Sequence, residues 1–97
     1  MSNVEVVRIP ENSRYEVHVD GEVAGFTEAK ERDDGVVLFS HTVVDDEHEG
    51  QGLASQLVTG ALDDIRERGR RIEVTCEYVQ GFLEKHREYQ DLVVDTA

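Results

Sequence analysis

Tryptophan is absent from this 97-residue chain, and cysteine, proline and methionine each occur once. A lone Cys76 excludes an internal disulfide. The N-terminus carries no secretory-type leader, so a reducing, cytoplasmic setting is expected. No apolar run approaches the roughly 20 residues of a membrane-spanning helix, and no membrane partner is expected. Aromatic residues are few, three Tyr and three Phe, so few internal contacts are spare and a bound ligand would add to stability. Basic residues are scarce too. Ten Lys and Arg face 22 Asp and Glu, a formal charge of −12, and only Lys30 and Lys85 are lysines. That balance repels phosphate backbones and anionic lipid, which excludes nucleic-acid binding through a basic patch. The four histidines and one cysteine show no metal-ligand spacing, so no metal is expected. No Ser-His-Asp or nucleotide P-loop pattern appears either.

What is present fits one domain, residues 1–97, with a modest core from 38% hydrophobic residues. The first half reads as strands. Val4 to Ile9 is a β-branched run stopped by Pro10. Tyr15, Val17 and Val19 alternate with Glu16, His18 and Asp20, predicting one buried and one wet face. Asp20-Gly21 is a hairpin signal, Val23 to Arg32 returns, and Asp33-Asp34-Gly35 turns again. Gly35 to Val44 is the most apolar strand and is expected to lie centrally.

The period then changes. Leu53, Leu57, Val58, Ala61, Leu62 and Ile65 follow helical spacing, Arg66 and Arg68 fall in the last turn, and Gly69 is a C-terminal cap signal. Gly60 is either a weak point of that helix or a place of close packing on the sheet. Ile72 to Cys76 reads as a fifth strand, Val79, Phe82, Leu83 and His86 as a short second helix, and Leu92 to Val94 as a strand or packed tail. A helix joining two strands of one sheet favours parallel pairing. The fold class expected is therefore α+β, a mixed sheet with helices packed on it.

The segment from His41 to Ala54 carries the chemistry: a buried strand ends, a polar turn follows, and Gly50-Gln51-Gly52 opens the long helix. Alternating glycines permit close backbone approach, and the first helical N–H groups lack intrahelical partners. This is either an anion cradle needing no basic side chain or an ordinary capped turn. Cys76, ending a strand beside that helix, is either a buried apolar residue or a thiol at the carboxyl end of a parallel strand, where ligands gather. His41, placed by alternation with Val37, Phe39 and Val43, is either a satisfied core histidine or a base at the cleft. Tyr78 and Tyr89 either supply a hydroxyl or pack with a wet tip, and His18 and His48 read as surface residues.

Several of these features recur together. His41-Thr42-x-Val44, Glu49-Gly50-Gln51-Gly52-Leu53-Ala54, Arg68-Gly69, Cys76 two residues before an aromatic, and His86-x-Glu88-Tyr89-x-Asp91-Leu92-Val93 stand in order over the later half. In this the chain resembles the small YjdJ-type, NATD-like branch of the GNAT N-acetyltransferase superfamily. The resemblance implies a GNAT-like mixed β-sheet whose central parallel strand pair splays to admit acetyl-coenzyme A. It assigns Val44, Gly50, Gln51, Gly52, Leu53 and Ala54 to coenzyme A binding, with the pyrophosphate on the N–H groups from Gln51 to Ala54. It also implies acyl transfer to an amine, with Cys76 as nucleophile or proton donor and His41 as the base for an ammonium acceptor. Glu47 and Glu49 bring carboxylates to the same turn, and minimal length implies an open acceptor pocket. The negative surface favours a cationic acceptor such as a polyamine or lysine-rich peptide. A coenzyme A-binding or regulatory module with little turnover is the alternative, and a plain interaction domain a third.

Overall fold

In the computed structural model of the protein, which describes residues 3–45 and 52–94, the chain opens with an antiparallel meander. β1 (Val4–Ile9), β2 (Arg14–Val19), β3 (Glu22–Glu31) and β4 (Val36–Val44) pair in chain order. Pro10 ends β1 by starting a 3-10 turn, Pro10–Asn12, where its missing N–H is no loss. Between β2 and β3, Asp20 and Gly21 adopt φ of 50° and 86°, the left-handed pair that tight Asp-Gly hairpins require. α1 (Leu53–Glu67) then crosses the sheet, and β5 (Arg71–Val74) joins β4 in parallel. α2 (Glu77–Lys85) and a 3-10 segment, Arg87–Leu92, follow. A parallel bridge between Ile72 and Val93 continues the sheet one position past β5, so the Leu92–Val94 tail is packed and bridges only once. The mixed α+β sheet expected from the sequence is the one observed, with its parallel pair at β4–β5. β4 lies inside the sheet, between β3 and β5.

The apolar stripe of α1 explains its place. Leu53, Leu57, Val58, Ala61, Leu62 and Ile65 are all buried. They meet Tyr15, Val17, Val37, Phe39 and Ile72 from the sheet and Val79, Phe82 and Leu83 from α2 in one apolar cluster. Each large aliphatic side chain buried this way contributes about 1.5–3 kcal/mol. α1 and α2 touch each other and share this cluster, so both lie on one face of the sheet. The opposite face is open at Val23 and Val43.

At the far end of α1, Tyr15 donates its hydroxyl to Asp64 at 2.6 Å. Arg68 reaches the same carboxylate at 3.1 Å and Glu31 at 2.5 Å. This polar knot ties β2, β3 and the last turn of α1 together. Arg66 instead reaches outward, bonding Asp91 and the Glu88 carbonyl and so holding the C-terminal 3-10 segment against α1.

The wet face expected of β2 needs one correction. Glu16 is buried, because Arg14 and His18 on the same face fold over it, at 2.8 Å and 2.9 Å from its carboxylate oxygens. The Arg14 guanidinium also lies 4.6 Å from the centre of the Phe26 ring. The His18 contact, followed by Arg14, holds the Glu16 carboxyl below the ordinary range against the opposing effect of burial. His18 is accordingly half-buried, not a free surface histidine.

Two predictions arise from this packing. Gly60 is a point of close approach: a Cβ there would lie 2.8 Å from Val6 Cβ. Gly60→Ala gains about 1 kcal/mol of helix propensity but incurs an overpacking cost of about 1–3 kcal/mol. Net destabilisation is expected in denaturant titrations, partly relieved in Gly60→Ala/Val6→Ala. A more stable single variant would contradict the packing. The second concerns alkaline pH. Burial, then the bond to Asp64, pushes the Tyr15 phenol up to about 12. The bond to Asp63, then burial, does the same for Tyr89, also to about 12. A raised folded value means that the contribution is complete below about pH 10 and is lost as pH rises through 12. The loss of stability between about pH 9 and about pH 11.5 should be shallower in Tyr15→Phe and shallowest in Tyr15→Phe/Tyr89→Phe. An unchanged slope in both variants would contradict the assignment.

Candidate functional site

The parallel ladder of β4 and β5 begins at Val36–Arg71 and ends at Phe39–Val74. Beyond it, the Phe39 carbonyl accepts two N–H groups, from Thr75 at 3.0 Å and Cys76 at 3.1 Å. β5 therefore stops advancing along β4, and the chain turns away into α2. β4 continues alone on that side for five residues, Ser40 to Val44. On its other side Asp45 donates its N–H to Ala24 at 2.7 Å. Strand alternation then turns the N–H groups of Val44 and Thr42 toward the opened gap. The result is an opening beside the last five residues of β4, where the chain after β5 has turned away.

The same place carries a β-bulge. β3 and β4 pair as Glu28–His41 and then Ala29–Phe39, leaving Ser40 as the extra residue. One inserted residue reverses the alternation, so His41 leaves the face of Val37 and Phe39 and shares the open face with Val43. The placement of His41 with Val37 and Phe39 is thereby corrected, and so is its reading as a core histidine. It is exposed, its ring centre 6.4 Å from that of Phe26.

Cys76 is buried and forms the N-cap of α2 with an extended backbone. The strand expected to run to Cys76 ends at Val74, because Thr75 and Cys76 have both bonded Phe39. Its sulfur lies 3.3 Å from the Thr42 hydroxyl, which in turn lies 2.9 Å from that of Thr27. Thr27 is fully buried, so this relay satisfies its hydroxyl and links β3, β4 and the thiol across the mouth of the opening. Cys76 and His41 line one open depression of about 340 Å³, together with Ser40, Thr42, Thr75, Glu77 and Tyr78. The structure thus brings the two sequence-predicted chemical residues to one site, the thiol from the core side and the imidazole from the open face.

Of the residues assigned to coenzyme A binding, Gly50 and Gln51 lie outside the described residues, as do Glu47, His48 and Glu49. Gly52 is the N-cap of α1 at φ 72°, a left-handed backbone suited to glycine, with no side-chain cap. Its carbonyl accepts from Gln56, so the N–H groups of Leu53, Ala54 and Ser55 have no intrahelical acceptor. Leu53 is buried in the core and offers the site its backbone alone, while Ala54 and Val44 are half-buried. The donors present here, a helix start with no side-chain cap among the described residues and the turned N–H groups of β4, fit an elongated ligand with an anionic segment.

Four further residues of this surface had no settled role in the sequence. Thr42 stood in the quoted pattern without a role. Tyr78, with a hydroxyl role and a packing role both open to it, is exposed and lines the depression with Cys76. Ser55 and Lys85 line a neighbouring groove. The signals available were the place of Thr42 in the pattern His41-Thr42-x-Val44 and the i+2 spacing of Tyr78 after Cys76.

The family model of GCN5-related N-acetyltransferases matches residues 14–92. Over 51 residues, 53% of this chain, the sequence is 39% identical to protein NATD1 of Bos taurus, of which it covers 45%. The chain thus spans about half the length of the curated relatives it matches. Among solved structures, a GCN5-like protein of Staphylococcus aureus superposes with a TM-score of 0.72 at 24% identity, covering 100% of this chain and 94% of that one. A GNAT-family N-acetyltransferase of Escherichia coli, solved in complex with CoA, gives 0.59 at 21% identity, covering 75% and 61%. At these identities the superpositions establish the fold. With the matched segment extending across β2 to the C-terminal 3-10 segment, the chain belongs to the GCN5-related N-acetyltransferase family.

Proposed function

We propose that this protein binds an acyl-coenzyme A, acetyl-coenzyme A foremost, in the opening between β4 and β5 and transfers the acyl group to an amine. The observation that carries this reading is the splay at Phe39, which leaves β4 N–H groups facing a gap beside a buried thiol. Family membership supports it, as does the CoA complex of the Escherichia coli neighbour. The pantetheine arm, with its amides, suits the turned N–H groups of Thr42 and Val44. The pyrophosphate suits the N–H groups at the start of α1.

The bound thioester supplies an activated acyl carbon. In the transfer, the amine nitrogen forms the new bond to that carbon, the carbon–sulfur bond breaks, and the amine proton is lost. His41, on the solvent side of the depression, is the group positioned to take that proton. Cys76, on the inner side, either gives a proton to the departing thiolate or first receives the acyl group itself. The Thr42 hydroxyl orients the sulfur in both cases. A second reading, a coenzyme A-binding module with little turnover, is favoured by the meagre sheet beyond β5, where one bridge leaves the acceptor side open.

Cys76 separates these readings. Alkylation of the thiol should be suppressed by coenzyme A, since at about 100 times Kd only about 1% of the protein is free. Cys76→Ala should retain coenzyme A binding by calorimetry while losing acyl transfer to an amine panel. Full transfer by the variant would exclude a required chemical role. Alkylation unaffected by saturating coenzyme A would remove the thiol from the ligand's path.

A further inference from the structure

Coenzyme A brings a pyrophosphate and a 3′-phosphate to a chain whose own net charge is −12. That repulsion has to be offset near the phosphates. The depression holding Cys76 and His41 has no Lys or Arg in its lining. A second open groove, about 410 Å³, lies between the first turn of α1 at Ser55 and the exposed side of α2. The two share Glu77 and Tyr78, so they form one surface path around that ridge. The second groove thus starts beside the N–H groups suited to the pyrophosphate and leads away from the thiol.

Lys85 and His86 line this groove, and of the chain's ten Lys and Arg residues Lys85 is the one lining either part of the path. Five arginines, Arg8, Arg14, Arg32, Arg66 and Arg68, are held by carboxylates elsewhere, whereas Lys85 enters no ion pair among the described residues. Glu77 and Glu84 face the same groove. They oppose a phosphate there, which makes the Lys85 charge decisive for admitting one. A flexible stem ending in a compact ammonium suits a terminal phosphate at a solvent-exposed edge.

We infer that Lys85 receives the 3′-phosphate of bound coenzyme A and makes the protein select coenzyme A over its 3′-dephospho form. The inference rests on the coenzyme A reading of the β4–β5 opening, and the test separates the two. Both ligands are titrated calorimetrically at low salt into wild type, Lys85→Gln and Lys85→Arg. Wild type should bind coenzyme A roughly tenfold more tightly than the dephospho form. Lys85→Gln should weaken coenzyme A to the level of the dephospho form and leave the latter unchanged, and Lys85→Arg should keep the preference. Equal wild-type affinities, or a preference surviving Lys85→Gln, would overturn the assignment of Lys85 alone. Failure of wild type to bind either ligand would overturn the coenzyme A reading and this inference with it.

Discussion

A single carbonyl organises the functional half of the molecule. Phe39 is fully buried, and its oxygen receives the N–H groups of both Thr75 and Cys76. A parallel ladder advances by giving each carbonyl its own partner in turn. Two donors on one acceptor halt that advance, so β5 cannot follow β4 further. On the opposite side of β4 the extra residue Ser40 bends the strand just past the same point. The opening, the placement of Cys76 at the start of α2 and the turned amides of Thr42 and Val44 all depend on these two local events. The Thr27–Thr42–Cys76 relay then fixes the thiol at the apex.

The arginine-rich basic set acquires a structural meaning in this frame. Arg66 joins α1 to the C-terminal 3-10 segment, Arg68 joins it to β2 and β3, and Arg32 joins the β3–β4 turn to Glu73 on β5. Each uses more than one guanidinium N–H, which a lysine cannot do with the same planar geometry. Individually such surface pairs contribute little, because solvent and salt screen them. Together these three arginines join elements at the end of the fold away from the β4–β5 opening. The depression at the opening has no Lys or Arg among the residues that line it, and β4 turns backbone N–H groups toward it.

Much of the fold was legible because its signals are local. The six-residue stripe of α1, the Asp20-Gly21 hairpin and the arrest of β1 at Pro10 each follow from the physics of a few neighbouring residues. The site was legible in part. The Gly52 start of α1 could be read, since a helix start is a local event, whereas Cys76, expected to end a strand, is instead the N-cap of α2. The side on which His41 falls could not be read. Alternation counted from Phe39 gives the wrong face, because the bulge at Ser40 is set by pairing with β3 and leaves no mark in β4 itself. Glu16 failed for a related reason. Its burial comes from Arg14 and His18, two residues away on either side, which cover it because no helix covers that face. Lys85 was visible only as one of two lysines until the fold set it beside the first turn of α1.

The central claim is that the β4–β5 opening and the start of α1 form one ligand site for coenzyme A. The most direct test is a map of backbone amide chemical shifts during titration with coenzyme A. The largest changes are expected at Thr42, Val44, Leu53, Ala54, Thr75 and Cys76, which converge on the splay from three separate elements. Changes centred instead on the polar knot of Tyr15, Asp64 and Arg68, or none at saturating ligand, would contradict it.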